Sequence, residues 1–290
     1  MITGSIVALV TPMHADGSVD WAALERLVAM HIAAGTAAIA AVGTTGESAT
    51  LSVPEHCEVI KRCVTCAAGR IPVIAGTGSN ATAEAIELSA AAADAGAAAC
   101  LLVTPYYNRP TQRGLYEHFK AIAEAVAIPQ ILYNVPARTS VDMTNDTAVR
   151  LAQLDNVVGI KDATGDVARG RDLISRCGDA IAIYSGDDPT AMALMLAGAH
   201  GNISVTANVA PALMAELCRL ALSGDRAGAQ AINTQLAPLN RALFLQANPI
   251  PVKWALQQRG LVEAGIRLPL TWLDAPFQPE VLAAMEAAGV

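Results

Sequence analysis

One lysine of this sequence lies in a stretch whose pattern predicts burial, where a lysine side chain costs free energy. Lys161 follows the uncharged residues 157–160, and such an apolar run is typical of a strand buried in a parallel sheet. A buried amine costs free energy unless it is paired, neutral or in use. Because desolvation lowers the pKa of an amine, part of it becomes the unprotonated form that attacks carbonyl carbons. Lys161 is therefore either a nucleophile that forms a Schiff base or a sheet-rim lysine paired with Asp162 or Asp187.

Hydroxyl groups follow several other runs of the same kind. Thr44 and Thr45 come after the second run, Tyr107 after the fourth, and Tyr133 lies near the end of the fifth. A phenol and a hydroxyl can relay protons without adding a charge that would oppose the amine. Each residue alone has a simpler explanation, such as a turn or core packing. Together, at the ends of strands, they favour a site built around the lysine.

Eight short apolar runs must position these residues. They lie at 5–11, 37–43, 72–76, 99–104, 130–134, 157–161, 181–186 and 201–205. Helical spacing separates them at 21–34, 82–95, 113–126, 146–154, 167–177 and 189–197, and a capping box begins a further helix at 52–55. This alternation predicts an α/β fold, a (β/α)8 TIM barrel, with its chemistry at the carboxyl ends of the strands. A doubly wound sheet is the alternative.

The strand pattern ends after the eighth run. Helical spacing continues at 211–222, 225–246, 251–259 and 279–288. We therefore predict two parts in this chain. Residues 1–224 form the barrel that carries the active site, and residues 225–290 form a C-terminal helical extension.

Two short motifs point to other chemistry. Residues 76–81 fit the pattern G-x-G-x-x-A of dinucleotide-binding loops. That motif usually follows the first strand of its unit, whereas here it follows the third run, so a glycine-rich barrel loop is favoured. Cys63 and Cys66 have the spacing of a redox or zinc half-motif. They lie in a helical segment without a second pair, which favours thiols packed along one face of a helix.

The composition of the chain argues against several classes of binding partner. The 290-residue chain has a formal net charge of -7, which argues against nucleic acid or an anionic membrane as the main partner. Its 53% hydrophobic and 16% charged residues suit a protein with much surface in subunit contacts. The first basic residue is Arg26, so the start lacks the basic region of a signal peptide. We expect a cytoplasmic location and reduced cysteines.

Six stretches carry a resemblance to a known family. They are residues 43–47 (GTTGE), 105–108 (PYYN), 133–139 (YNVPART), 159–165 (GIKDATG), 185–188 (SGDD) and 248–254 (NPIPVKW). With them, the chain resembles the dihydrodipicolinate synthase family, a branch of the pyruvate-dependent Schiff-base aldolases and lyases. The likeness runs essentially end to end. Asp162 departs from the pattern, since many relatives carry glutamate there, but it touches no assigned role.

The resemblance implies a lyase that condenses pyruvate with L-aspartate 4-semialdehyde through a lysine Schiff base. The product would be 4-hydroxy-tetrahydrodipicolinate, in diaminopimelate and lysine biosynthesis. The implied catalytic residues are Lys161, Tyr133, Thr44 and Tyr107, and the implied substrate-binding residues are Thr45, Arg138, Gly186 and Ile203. Among these, Thr45 would hold the pyruvate carboxylate and Arg138 the semialdehyde carboxylate, because an arginine fork matches two oxygens. The family uses no metal and no organic cofactor.

The resemblance also implies an assembly and an effector. Relatives form homotetramers as dimers of dimers, and Tyr107 reaches the site of the neighbouring subunit. A pocket for feedback inhibition by L-lysine would involve Ser48, Ala49, His56, Asn80, Glu84 and Tyr106. Val53 stands where several inhibited relatives carry histidine, so we expect lysine to bind about tenfold more weakly. The alternative is that Asn80 and Glu84 only cap and charge the start of a helix.

Three other functions would each use part of this sequence. An N-acetylneuraminate or 2-keto-3-deoxy-sugar lyase would keep the Schiff base, but Thr45 and Arg138 argue against it because a sugar lacks the second carboxylate. A barrel that only binds keto acids would not need Lys161 together with three hydroxyl partners. An oxidoreductase is supported only by residues 76–81.

Overall fold

A computed structural model describes residues 1–290, and its centre is a closed barrel of eight parallel strands. The strands are β1 (Gly4–Ala8), β2 (Ala38–Ala41), β3 (Val73–Gly76), β4 (Ala99–Val103), β5 (Gln130–Asn134), β6 (Val157–Asp162), β7 (Ala182–Ser185) and β8 (Gly201–Ser204). Each strand pairs with the next along the chain, and β8 closes the barrel on β1. The predicted (β/α)8 barrel is confirmed. The doubly wound alternative is wrong, because this sheet has no open edge.

Alternation along the strands separates two apolar layers. Along β1 and the residue that follows it, Ile6 and Ala8 belong to a cluster of 13 buried residues, whereas Val7 and Leu9 belong to a second cluster of 64. Successive side chains of a strand point to opposite faces, so the small cluster fills the barrel and the large one lies beneath the helices. Tyr133 belongs to the small cluster. It therefore points into the barrel at the level where the site was predicted.

Helices surround the barrel and follow the strands in sequence. They are α1 (Trp21–Ala33), α2 (Val53–Ala67), α3 (Thr82–Asp94), α4 (Gln112–Ala125), α5 (Pro136–Thr139), α6 (Asn145–Leu151), α7 (Val167–Cys177), α8 (Ala191–Met195), α9 (Pro211–Leu222), α10 (Arg226–Ala242), α11 (Ile250–Gln258) and α12 (Gln278–Ala288). The predicted capping box is present, since Ser52 accepts a bond from the backbone of Glu55 and the Glu55 side chain accepts one from Ser52. Helices α7 and α9 have the predicted bounds.

Helices α6 and α10 end three and four residues before their predicted ends, at Leu151 and Ala242. Two further helical segments differ from the prediction in kind. The helix expected at 189–197 is a 3-10 turn followed by the short α8. Asp188, the first residue of that turn, is buried and accepts the backbone N–H groups of Val205 and Thr206 at 3.0 and 2.9 Å. Helix α5 was not predicted; it is a single turn that begins at Pro136 directly after β5. A helix of one turn is too short to show the apolar periodicity from which helices are predicted.

The chain after α9 is helical, as expected. Helix α10 packs between α9 and α12, and α11 returns toward the carboxyl ends of the strands. Residues of this region bond to barrel loops: Asn248 contacts Thr45, and Lys253 contacts Glu47. The division at residue 224 stays a prediction.

All six cysteines are free thiols. Cys63 lies fully buried in α2, and burial raises the pKa of its thiol to about 12. A thiol with that pKa is a poor nucleophile, so the Cys63–Cys66 spacing serves packing rather than redox chemistry. Separately, the structure contains no helix whose length and apolar character would let it cross a membrane.

Candidate active site

Lys161 lies near the carboxyl end of β6 with its side chain buried, and it is only 5% exposed. Its neighbour in the sheet register is Tyr133 of β5, and its amine stands 4.3 Å from the centroid of that ring. The rim ion pair considered above is not formed. Asp162 accepts from Thr164 and contacts Arg169 at 3.4 Å. The amine of Lys161 is therefore held against an aromatic face and a phenol rather than against a carboxylate.

Asp187 is equally unavailable to the lysine. Its carboxylate accepts the Thr190 hydroxyl at 2.6 Å and the Thr190 N–H at 3.2 Å, which fixes the turn after β7. Both carboxylates proposed as partners are thus committed to local turns. The interpretation of Lys161 as a paired rim lysine is wrong.

Gly186 makes the space that the lysine side chain occupies. A Cβ at this position would lie 2.7 Å from Cε of Lys161 and 2.8 Å from Cβ of Ala163. Real Cβ atoms do not approach that closely, so any side chain at residue 186 would displace the lysine. Gly186 therefore has a definite physical role beside the nucleophile. Ile203 of β8 is buried in the barrel interior among the same cluster as Tyr133.

A cavity of about 480 Å³ opens beside Tyr133. Thr44, Tyr133 and Arg138 line it, which brings together residues from the carboxyl ends of β2 and β5. Such a volume suits a small metabolite. Lys161 does not line the cavity itself, but its amine stands 4.3 Å from the centroid of the Tyr133 ring, which does.

The loop after β2 carries the two predicted threonines. Thr45 is buried, and its hydroxyl accepts a hydrogen bond of 2.9 Å from the Asn248 amide. The backbone oxygen of Asn248 in turn accepts from the Arg138 guanidinium at 3.2 Å. Asn248 thus joins the residues predicted to bind the two carboxylates. The sequence argument gave it no role, although the stretch 248–254 had been singled out.

Tyr107 does not join this group within its own chain. Its side chain is 90% exposed in the loop after β4, and its backbone has a φ of 72°. A bulky residue with positive φ is an outlier that the surrounding structure must hold in place. The residue is therefore aimed away from its own barrel.

Five of the six residues expected in the lysine pocket line the same cavity: Ser48, Ala49, His56, Glu84 and Tyr106. Asn80 adjoins it and donates to the backbone oxygen of Tyr106 at 3.2 Å. Asn80 does not cap the helix, because α3 begins at Thr82 after Ala81 with no side-chain cap. The capping explanation for Asn80 is wrong.

His56 is buried beneath this part of the cavity. Its Nε2 donates to the backbone oxygen of Gly76 at 2.8 Å, and the Ser48 hydroxyl lies 3.4 Å from Nδ1. Burial lowers its pKa, so the ring is neutral near pH 7. Among the six residues expected in the lysine pocket, Glu84 is the only acidic one. Glu84 accepts a hydrogen bond from Ser79.

The glycine-rich loop after β3 has a packing explanation. A Cβ at Gly76 would lie 2.5 Å from the backbone oxygen of Val42, and one at Gly78 would lie 2.3 Å from the backbone nitrogen of Val103. These glycines allow neighbouring strand ends to approach each other. Residues 76–81 therefore need no dinucleotide to account for them.

Comparison with known proteins identifies the family. The model of the Dihydrodipicolinate synthetase family matches residues 1–288. This chain belongs to that family. It is 66% identical over 290 residues to the 4-hydroxy-tetrahydrodipicolinate synthase of Thioalkalivibrio sulfidiphilus, covering 100% of this chain and 99% of the relative. The predicted family is confirmed, and with it an enzyme of the lyase class rather than a non-catalytic barrel.

Two solved structures of family members are similar over their whole length. One is the chloride-inhibited dihydrodipicolinate synthase of Acinetobacter baumannii complexed with pyruvate. It is 60% identical, with a TM-score of 0.99 and full coverage of both chains. The other is the enzyme of Cyanidioschyzon merolae with lysine bound. It is 38% identical, with a TM-score of 0.96, covering 99% of this chain and 98% of the other.

The contact between Gly186 and Lys161 yields a prediction. The Gly186→Ala enzyme should lose about 100-fold in kcat/KM, because its methyl group would displace the amine by a fraction of an ångström. Steady-state kinetics measures kcat/KM, and a thermal melt shows whether the variant is folded. Gly170→Ala is the matched control, since its methyl would press on Leu194 outside the barrel. That control should lower the melting temperature without changing turnover. A Gly186→Ala enzyme with normal turnover would contradict the assignment.

Proposed function

We propose that this chain condenses pyruvate with L-aspartate 4-semialdehyde to give 4-hydroxy-tetrahydrodipicolinate, in diaminopimelate and lysine biosynthesis. One observation carries the proposal beyond the family resemblance. The Lys161 amine is buried at the end of β6 without a carboxylate partner and faces Tyr133. A lysine in that setting is suited to attack a ketone carbon.

The reaction begins when Nζ of Lys161 attacks C2 of pyruvate. Loss of water gives the Schiff base, and loss of a proton from C3 gives the enamine. The enamine carbon then adds to the aldehyde carbon of the semialdehyde, whose oxygen takes up a proton. Finally the substrate amine attacks C2 and displaces Lys161, which closes the ring and frees the enzyme.

Protons must move in each of these steps. We assign the relay to Tyr133, which already faces the amine, to Thr44 on the loop after β2, and to the partner's Tyr107. All three are neutral hydroxyl groups that can both donate and accept. They therefore move protons without stabilising a charged resting state of the lysine.

The two carboxylates of the substrates need separate anchors. Thr45 and the backbone near Gly186 and Ile203 suit the small pyruvate, deep in the barrel. Arg138 is exposed at the mouth and lines the cavity, so its guanidinium suits the carboxylate of the second substrate. An uncharged sugar aldehyde would leave that arginine without a partner. The sugar-lyase alternative is therefore not favoured.

Coupled assays test this assignment. Pyruvate consumption should require L-aspartate 4-semialdehyde, and N-acetylmannosamine should not replace it. Lys161→Ala should fold but lose at least about 1,000-fold in kcat. Arg138→Leu should raise KM for the semialdehyde by roughly 10- to 100-fold, as expected for one charge-assisted hydrogen bond, and KM for pyruvate by less. Faster turnover with N-acetylmannosamine would overturn the proposed function in favour of a sugar lyase.

We propose that the active assembly is a homodimer paired into a tetramer. Tyr107 supports this, because an aromatic side chain exposed to 90% on a strained backbone has no role in its own chain. A partner subunit would bury the ring and place its hydroxyl near the partner's lysine. In the same proposal the enzyme works in the cytoplasm, where its six free cysteines stay reduced.

Subunit mixing tests the shared site. Tyr107→Phe and Lys161→Ala subunits are each nearly inactive alone, but after exchange about a quarter of the sites should hold both native groups. Tyr133→Phe mixed with Lys161→Ala is the matched control, because Tyr133 and Lys161 belong to one barrel and mixing should restore nothing. If the first mixture also recovers no activity after proven exchange, Tyr107 does not act across subunits.

We propose that L-lysine inhibits the enzyme at the outer part of the cavity. Glu84 can pair with an ammonium group, and the Tyr106 hydroxyl can bind a carboxylate or an amine. Asn80 holds the backbone of Tyr106 and so fixes the wall of this pocket. Tyr106 adjoins Tyr107, so ordering one residue affects the other. Val53 is 53% exposed at the edge of the pocket and offers no hydrogen bond.

Inhibition by lysine is measured as activity against effector concentration. Turnover should fall in millimolar lysine, and Glu84→Ala should remove the response while leaving basal turnover largely intact. Glu87→Ala is the matched control, since Glu87 is an exposed acid on the same helix that does not line the cavity. Unchanged wild-type activity in tens of millimolar lysine would show that the pocket is not regulatory in this chain.

A further inference from the structure

A second lysine of this chain is buried more deeply than Lys161. Lys253 of α11 and Glu47, in the loop after β2, form an ion pair whose two side chains are both 0% exposed. Neither residue contacts a substrate in the mechanism above. Lys253 belongs to the stretch 248–254, which the sequence singled out and the mechanism leaves without a function.

Stability is a poor explanation for this pair. Taking two charges out of water costs several kcal/mol per ion, and apolar residues of similar size often replace a buried pair without loss. Burial lowers the pKa of Lys253, and the Glu47 carboxylate opposes part of that shift. Because burying this ion pair costs free energy and brings little net stability, we expect the pair to serve the geometry of its surroundings.

The backbone around Glu47 supplies that reason. Glu47 has a left-handed φ of 56°, and it closes a turn in which its N–H donates to the backbone oxygen of Thr44 at 3.1 Å. Its own backbone oxygen accepts from the N–H of Thr50 at 3.0 Å. The direction of the Glu47 side chain is therefore coupled to the turn that carries Thr44 and Thr45.

Three residues of the C-terminal region hold this turn from outside. Lys253 holds one carboxylate oxygen of Glu47, and the backbone N–H of Arg267 donates to the other at 3.2 Å. The Arg267 guanidinium donates to the backbone oxygen of Thr50 at 2.8 Å. Asn248 holds the Thr45 hydroxyl at 2.9 Å. These contacts fix the turn at Thr45, Glu47 and Thr50 relative to the barrel.

We propose that Glu47 and Lys253 are positioning residues, which set the turn so that Thr44 and Thr45 meet pyruvate and the Schiff base. The inference rests on the proposed function, because it assigns the purpose of the turn from that reaction. Glu47 and Lys253 touch no reacting atom. They act through the backbone of Thr44 and through the placement of the Thr45 hydroxyl. The C-terminal extension is in this way a part of the active-site architecture.

A double variant separates positioning from stability. Glu47→Met combined with Lys253→Met removes both charges and keeps the volumes similar, so the protein should keep about its native melting temperature. Its kcat/KM for pyruvate should nevertheless fall about 10- to 100-fold, with a higher KM for pyruvate, because the turn is no longer fixed. The KM for the semialdehyde should change less, since Arg138 is held through Asn248 instead. Lys120→Met is the matched control, as it breaks a solvent-exposed lysine–glutamate pair with Glu124.

Each outcome of this experiment has one meaning. A stable double variant with native KM and kcat would overturn the inference and leave the pair a purely structural one. Equal losses in the Lys120→Met control would also overturn it. Should the double variant fail to fold, Glu47→Gln is the second variant: its amide has one oxygen and one NH2 group, so it can accept from only one of Lys253 and Arg267. A native KM for pyruvate in that variant would overturn the inference. Failure of the proposed function is a different result, namely wild-type enzyme without turnover of pyruvate and semialdehyde.

Discussion

The structure depends on one constraint, the burial of the Lys161 amine inside a closed barrel without an opposing carboxylate. The parallel register of β5 and β6 sets Tyr133 beside the lysine, and Gly186 leaves room for the side chain. Asp162 and Asp187 are held in their own turns. The amine therefore contacts the Tyr133 ring and forms no ion pair with either carboxylate. That is the setting in which a lysine can act as a nucleophile.

Two buried lysines in one chain show how environment decides function. Lys161 has a phenol beside it and a cavity beyond that phenol. Lys253 has a carboxylate against it and no exposed surface at all. The first faces the Tyr133 ring, which lines the cavity, and the second is paired with Glu47 in the turn that it orients. Both lysines are buried, so burial does not distinguish their functions. Their contacts do, because one faces a phenol and the other a carboxylate.

The sequence predicted those features that depend on local pattern. The apolar run before Lys161 and the bounds of α7 and α9 follow from spacing within short windows. The contacts of the C-terminal region do not, because Glu47 and Lys253 are 206 positions apart, and Thr45 and Asn248 are 203 apart. Only the closed barrel brings such residues together. The backbone conformation of Tyr107 also could not be predicted from the sequence, because a positive φ at a tyrosine is imposed by the surrounding structure and not by the residue type.

The identity of the attacking lysine is the central claim, and reductive trapping tests it most directly. Borohydride added with pyruvate alone should reduce the Schiff base to a stable adduct, which peptide mapping should locate on Lys161. The Lys161→Ala protein should yield no adduct under the same conditions. An adduct on Lys253 or on another lysine, or no adduct on an enzyme that turns over both substrates, would contradict the account.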